Sequence, residues 1–390
     1  LRSGGNDYDD ALYRDLIVGR LVDGIIDYQA FHPVIMFING EYWGIYNVRE
    51  HMGETYIESH YGIDEDDFNI IEFGMAEIEN YHGDTNEVAR YEALLEFIEN
   101  HDMSVQANYD YMNEVVELDD LTDYFITQMF INNTDWPGNN ARVWRYTGPK
   151  GDGLKDGKYR YQLFDTDFAF GLKEGREAAS HNSFEYLYEE SVVWPNPSWT
   201  SEVFRGAMEN EAFKEKFLVR MADLFNSRFS DTNVLAEVNN LEEIFEPEME
   251  EYINRYNFIK LEDVSDWKEE LEIIKDFASN RANNLFGYAI EFYDLDGLTE
   301  VTVKKMPHSK VTVNNSYTLE EDALLRYFID YPINLVINVE EGYSCEGWQV
   351  VSEDGVFDES MLISGSLDEP EISVLPSENI TLSAIVKRVD

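Results

Sequence analysis

The chain has 390 residues, more than one ordinary domain holds, and it is 44% hydrophobic with 25 Tyr, 23 Phe and 7 Trp, which excludes disorder over most of its length. Its 79 acids against 29 bases leave a formal net charge of −50. A phosphate backbone would repel such a chain, so nucleic acid is excluded as a partner, while cations and basic partners are favoured.

Cys345 is the single cysteine, so no internal disulfide is possible. No window approaches the roughly 20 apolar residues needed to cross a bilayer, and no transmembrane segment is expected. No signal peptide is present, and the opening Leu1-Arg2-Ser3-Gly4-Gly5-Asn6-Asp7 lacks a Met and reads as the interior of a longer protein.

Leu12, Leu16, Ile17, Leu21 and Ile25 recur at three-to-four spacing and predict an amphipathic helix over 9–26. Residues 33–38 read as a buried strand, Asn39-Gly40 as a two-residue hairpin turn and 42–49 as the returning strand. After Glu50–Gly53 comes a helix carrying Tyr56 and Ile57. The charge run 64–67 reads as a solvated turn. Helices are expected over 85–100 and 105–117. A third, capped by Asp119-Asp120, carries Leu121, Phe125, Met129 and Phe130.

Strands are expected at 141–146 and 159–164, around the turn 148–153. Helices follow at 211–228, 232–245, 248–262 and 267–291. Asp294-Leu295-Asp296-Gly297 has the start of a calcium loop without its later ligands, and reads as a linker turn. Beyond it, short Val/Ile/Thr runs at 299–304, 310–313, 334–340, 347–351 and 380–387 predict a small all-β module at 298–390.

Chemistry concentrates in two stretches. Asp135-Trp136-Pro137-Gly138-Asn139-Asn140 follows a helix and sets an Asp five positions before an Asn. Asp165-Thr166-Asp167 sets two acids one residue apart after a strand, inside Phe164-x-x-x-Phe168-x-Phe170-Gly171. Alone, the first is an ordinary capped turn, since Asp and Asn favour turns. The second is harder to dismiss. Asp165 and Asp167 should share one side at period two, two neighbouring carboxylates repel, and a cation relieves that repulsion. Protein kinases use such pieces in this order: an Asp that accepts the hydroxyl proton, an Asn on magnesium, and a second Asp on the metals.

Three stretches resemble the CotH (spore coat protein H) kinases, atypical bacterial protein kinases: Leu1–Asp7 with Arg14-Asp15, Asn39–Tyr46 ending in Glu50, and the Asp135–Asn140 loop with Asp165, Asp167 and Gly171. The resemblance spans about residues 1–290. It implies an α+β fold, a protein-kinase-like domain at 1–294 with a partial N-lobe hairpin and a helical C-lobe, followed by the β module. It implies Asp135 as the catalytic Asp, Asn140 and Asp165 as magnesium ligands assisted by Asp167, and Glu50 as the start of the hinge that meets adenine. ATP and Mg2+ are the implied cofactors. A partner protein, basic for preference, is the implied substrate, and the cell surface or spore coat the implied location.

One departure stands out. Kinases hold the nucleotide phosphates with a strand Lys, and no Lys precedes Lys150. In the family that Lys lies upstream of the part matched by Leu1, so the chain as given is expected to lack it and to be impaired or inactive in transfer.

Two other readings compete. A non-catalytic adhesion scaffold would use exposed aromatics, Gly347-Trp348 of the β module among them, against cell wall or polysaccharide. A glycoside hydrolase would pair Asp135 with Asp165, but has no use for the Asn. The seven histidines form no His-x-x-x-His pair, no Gly-x-Ser-x-Gly elbow occurs, and Cys345 has no neighbouring base and reads as core.

Overall fold

Residues 1–256, 259–352, 355 and 358–389 are described by the computed structural model. The chain divides into two compact units, Leu1–Lys214 with Asp231–Tyr288, and Glu215–Ser230 with Ala289–Asp390.

In the first unit the opening residues form a short 3-10 turn at Gly5–Asp7 and no α-helix before Arg14. Asp7 is buried and its carboxylate accepts from the backbone N–H of Ala11 (3.0 Å) and Arg14 (2.9 Å). That side chain competes with the helix for backbone donors, so α1 is confined to Arg14–Leu21 rather than the expected 9–26. A two-residue strand β1 (Asp27–Tyr28) precedes the hairpin of β2 (Phe31–Ile38) and β3 (Glu41–Arg49). Asn39 and Gly40 have φ of 53° and 85°, the left-handed pair that a tight hairpin turn demands. Gly44 (φ 121°) adjoins a bulge, and a Cβ there would strike the Tyr256 ring. These glycines serve the hairpin.

Next come α2 (Glu54–Tyr61), β4 (Phe68–Gly74), β5 (Glu77–His82), α3 (Glu87–Asn100), α4 (Gln106–Val115) and α5 (Leu118–Ile131). α5 is buried along nearly its whole circumference, as a helix through the middle of a core must be. Its cap differs from expectation. Glu117 holds the N-cap position without a side-chain bond, and Asp120 instead accepts from the Tyr161 N–H at 2.6 Å.

β6 (Ala141–Tyr146) and β7 (Arg160–Leu163) complete a sheet of order β1-β7-β6-β4-β5, with β1 parallel to β7 and the other pairs antiparallel. Beyond lie α6 (Ser183–Tyr188), α7 (Glu202–Met208), α8 (Glu211–Phe225), which from Glu215 onward belongs to the second unit, α9 (Asp231–Arg255) and α10 (Val264–Tyr293). α9 runs through Pro247, so the expected break between 245 and 248 is absent. The helix ends at Arg255 rather than 262; of that expected stretch, residues 257 and 258 lie outside the described residues. No helix among the described residues is long and apolar enough to cross a membrane.

The second unit carries β8 (Leu298–Lys304), β9 (Ser309–Val313), β10 (Tyr317–Leu319), β11 (Ala323–Phe328), β12 (Ile333–Val339), β13 (Tyr343–Ser352), β14 (Leu362–Gly365), β15 (Glu371–Val374) and β16 (Ile380–Arg388). They form two sheets, β10-β9-β12-β15-β14 and β11-β8-β16-β13. Val301, Val303, Val311, Val313, Leu335 and Leu382 are buried at alternate positions, the period-two pattern that the sequence shows. Trp348 is 3% exposed and donates to the Pro370 carbonyl at 3.2 Å, so it is core and offers no face to a sugar. Cys345 is half-buried. The molecule is thus α+β, a mixed helical and sheet unit with an all-β region after it.

Candidate functional site

β6 and β7 pair with Ala141 opposite Leu163. Asn140 and Phe164 therefore leave the hairpin at the same end, and the two acid-bearing loops meet there. The first loop starts where α5 stops, at left-handed Asn132 (φ 50°). It is pinned throughout: the Trp136 indole donates to the Tyr124 hydroxyl (3.1 Å), the Tyr186 hydroxyl donates to the Trp136 carbonyl (3.0 Å), and Gly138 N–H donates to the Pro195 carbonyl (2.7 Å). A Cβ on Gly138 would collide with Pro195 and Pro197. The second loop is tied back by Phe170 N–H to the Ile131 carbonyl at 2.9 Å.

Between these anchors Asp135 is buried. One carboxylate oxygen, Oδ2, accepts the side-chain amides of Asn140 (2.8 Å) and Asn139 (3.1 Å). Its Oδ1 is buried without a partner. Asp167 is arranged likewise. Its Oδ2 accepts from the Asn6 N–H (2.6 Å) and from Arg2 (2.9 Å), while its Oδ1 is buried and unpartnered. Asp165 is more open, pairs with the same Nη2 of Arg2, and has φ of 50°. A non-glycine residue in the left-handed region is uncommon and worth noting at a site. Both acids meet one guanidinium, but not through the expected strand periodicity, since β7 ends at Leu163 and Asp165 is left-handed.

Electrostatics follow from this crowding. Burial lifts the Asp135 carboxyl to about 6, opposed by the Asn139 bond and reinforced by the charges of Asp167 and Asp165. Burial and then Asp165 push Asp167 up. Burial would lower the Arg2 guanidinium, but the bond and charge of Asp165, with Asp15 and Asp167 behind them, hold it above its ordinary value.

Among the described residues no group of three or more His, Cys, Asp and Glu side chains is placed to hold a metal. That does not disqualify magnesium, which keeps to one or two carboxylates plus substrate phosphates. The buried, unpartnered Oδ1 of Asp167 and the open carboxylate of Asp165, two acids that share one Arg2 Nη2, fit a hard cation. Asn140 adds an amide oxygen for which no hydrogen bond is seen while its nitrogen is used on Asp135.

Glu50 stands apart. Its N–H donates to the Ala30 carbonyl (3.0 Å), its carbonyl accepts from Gln29 (2.9 Å), and its carboxylate meets His60 (2.7 Å). It lines a cavity of about 450 Å³ walled by Asp27, Tyr28, Tyr56, Tyr61 and Asp120. No contact joins it to Asp135, Asn140, Asp165 or Asp167 among the described residues.

The sequence reading missed Arg2, Gly5 and Asn6 as parts of the site. Arg2 was visible only as one of the few early bases in a very acidic chain, and nothing local shows that it reaches residues 163 positions away.

A helix-delivered Asp/Asn loop and an acid pair thus meet at one end of a β-hairpin in an α+β fold. The family model described as CotH kinase protein matches residues 1–285, and the chain belongs to the CotH kinase family. No curated protein matches it.

Proposed function

We propose that this chain acts as a protein kinase that transfers the γ-phosphate of ATP to a Ser or Thr hydroxyl of a partner protein at the cell surface or spore coat. The observation that carries the reading is the pair of buried carboxylates, Asp135 and Asp167, in loops at the same end of the hairpin, each with one oxygen held and one left bare.

Asp135 is the base. Its Asn-held carboxylate takes the proton from the attacking hydroxyl as that oxygen bonds to phosphorus and ADP departs. A carboxyl lifted to about 6 is a better proton acceptor than an ordinary Asp and is still ionised at pH 7. Asn140, Asp165 and Asp167 would hold magnesium, which when bound neutralises the phosphate oxygens. Asn139 and Asn140 fix the Asp135 carboxylate, and the anchors on Trp136 and Gly138 keep the loop from drifting. Glu50 lies where the hairpin leads into α2 and would mark the nucleotide's adenine side. The net charge of −50 favours a basic substrate.

Calorimetric titration of ATP into the chain, with and without magnesium, tests this. Magnesium-dependent binding that vanishes in Asp165→Ala, followed by phosphate incorporation into a basic protein that vanishes in Asp135→Asn, is the expected result. Nucleotide binding indifferent to magnesium and to Asp165 would refute the metal assignment.

A further inference from the structure

We propose that Arg2 is the phosphate-facing cation of this site, parked on Asp165 and Asp167 until a divalent cation takes those acids over. The inference rests on the kinase reading above.

The root of Arg2 is fixed. Its N–H donates to the Asn47 carbonyl (2.9 Å) and its carbonyl accepts from the Asn47 N–H (2.8 Å), so its backbone is bridged to β3. The side chain then crosses to the acid pair, touching Asp165 and reaching Asp167 at 2.9 Å. Gly5, at φ +65°, closes the loop over this contact, and any Cβ there would overlap the Asp167 carboxylate and the Arg2 guanidinium. Among the described residues Arg2 is the base that forms ion pairs with the site's acids.

A second arginine shows what a purely structural pair looks like here. Arg14 is fully buried between Asp7 and Glu270 (3.0 Å). Arg2 is 26% exposed, and the Asp165 it holds is 30% exposed. The Nε is without a partner in both arginines, so exposure is what separates them: the Arg2 guanidinium is rooted but not sealed.

Charge completes the argument. Asp165 and Asp167 share one Arg2 and their charges also act on Asp135, so the acids of the site outnumber the base that pairs with them. A divalent cation on the bare oxygens satisfies the acids, after which the planar fork of Arg2 matches phosphate oxygens better than it matches already neutralised carboxylates. Arg2 would then add its charge to the kind of phosphate contact that kinases make with a strand Lys.

Arg2→Gln separates this role from that of a strut, because the two affinities it governs should move in opposite directions. With Mn2+ alone as the probe, calorimetry should show tighter binding to Arg2→Gln, by roughly three- to tenfold, because a competing cation is gone. With MgATP, binding should weaken by about tenfold or more, the size of a lost charge-assisted hydrogen bond, while adenosine is unaffected. Arg2→Lys should recover part of the MgATP affinity, and an unchanged melting temperature shows that the fold is intact. The inference stands only if both shifts appear in those directions. Loss of both Mn2+ and MgATP affinity would make Arg2 a strut, and unchanged MgATP affinity would remove it from the phosphates. If wild type binds MgATP and Asp167→Asn abolishes that binding while Arg2→Gln keeps it, this inference falls and the kinase reading stands. If wild type binds no MgATP at all, both fall.

Discussion

Arg281 and the Asp135–Asp167 pair are charges buried in the same unit, and they are treated in opposite ways. Arg281 is fully buried, and burial pushes its guanidinium down to about 9. All five of its N–H donors are nevertheless used: on the carbonyls of Met129 (2.5 Å), Phe130 (3.0 Å), Ala179 (3.1 Å) and His181 (2.6 Å) and the hydroxyl of Ser183 (2.6 Å). Met129 and Phe130 lie in the last turn of α5, where carbonyls lack helical partners and a cation is favoured. Arg281 is therefore a fastener for the helix that delivers the acid loop. Asp135 and Asp167 each stop one oxygen short of satisfaction. A native interior seldom leaves polar atoms bare; Asp15, Asn133 and Gln162 carry bare atoms as well, so what sets Asp135 and Asp167 apart is that two such acids share one end of a hairpin.

The largest effect should come from breaking the fastener. Arg281→Met takes the guanidinium from five acceptors, of which the Ala179 carbonyl keeps Asn284 (2.8 Å) and the Met129 carbonyl keeps Ser183 (3.3 Å), and should cost about 3–5 kcal/mol, read as a fall in the urea midpoint of the first unit. A loss below about 1 kcal/mol would mean that water replaces the guanidinium, and the contrast with the acids would collapse.

Next is the acid pair. Asp167→Asn keeps the shape and removes the charge, so magnesium-dependent ATP binding should drop by about a hundredfold, two charge-assisted contacts' worth, with little change in melting temperature. Unfolding instead would show Asp167 to be a fastener like Arg281.

Asp135→Asn should lower the transfer rate by about 10²–10⁴ while raising stability. With its carboxyl at about 6 when folded and 3.8 as the reference, the folded chain holds a proton that the unfolded chain releases between those values. The stability cost of the buried charge is therefore full above about pH 6, shrinks as pH falls, and is gone below about pH 4. The Asn variant should be more stable by about 1–2 kcal/mol at pH 8 and equal to wild type near pH 4. The wild-type rate should fall on the acid side of about pH 6. Melting curves at both pH values and a pH–rate profile check these signs.

How much of this was legible in the sequence depended on how local each cause was. Asn39-Gly40 forms its hairpin because two adjacent residues tolerate positive φ. The strands of the second unit follow from alternation, and α8, α9 and α10 from periodic apolar residues. The α+β class and the membership of the CotH kinase family were readable for the same reason. The start of α1 was not, because it is set by the Asp7 side chain closing on donors four and seven residues ahead. β5, written Glu77-Ile78-Glu79-Asn80-Tyr81-His82, is polar and half-exposed, and becomes a strand by pairing with β4. In the site, Asp135, Asn140, Asp165 and Asp167 were visible as a pattern. Their partner Arg2 was not, because an ion pair across 163 positions leaves no trace in spacing.

The smallest effect tests whether the bare oxygen, rather than the raised pKa, is the mark of a site. In the second unit Asp223 is also lifted by burial to about 6, yet its Oδ1 accepts from the Tyr327 hydroxyl (2.6 Å) and the Asn314 amide (2.7 Å). By its pKa alone it would rank with Asp135; by its hydrogen bonds it ranks with Arg281. Tyr327→Phe removes one donor and should cost about 1 kcal/mol at pH 8. The cost should be smaller near pH 5, where Asp223 is increasingly protonated and needs fewer donors. MgATP affinity should not move. A Tyr327→Phe variant that lost nucleotide binding would break the comparison, because a fully bonded acid would then be serving the ligand. An unchanged affinity would leave the bare oxygens of Asp135 and Asp167 as the feature that separates a working charge from a fastening one.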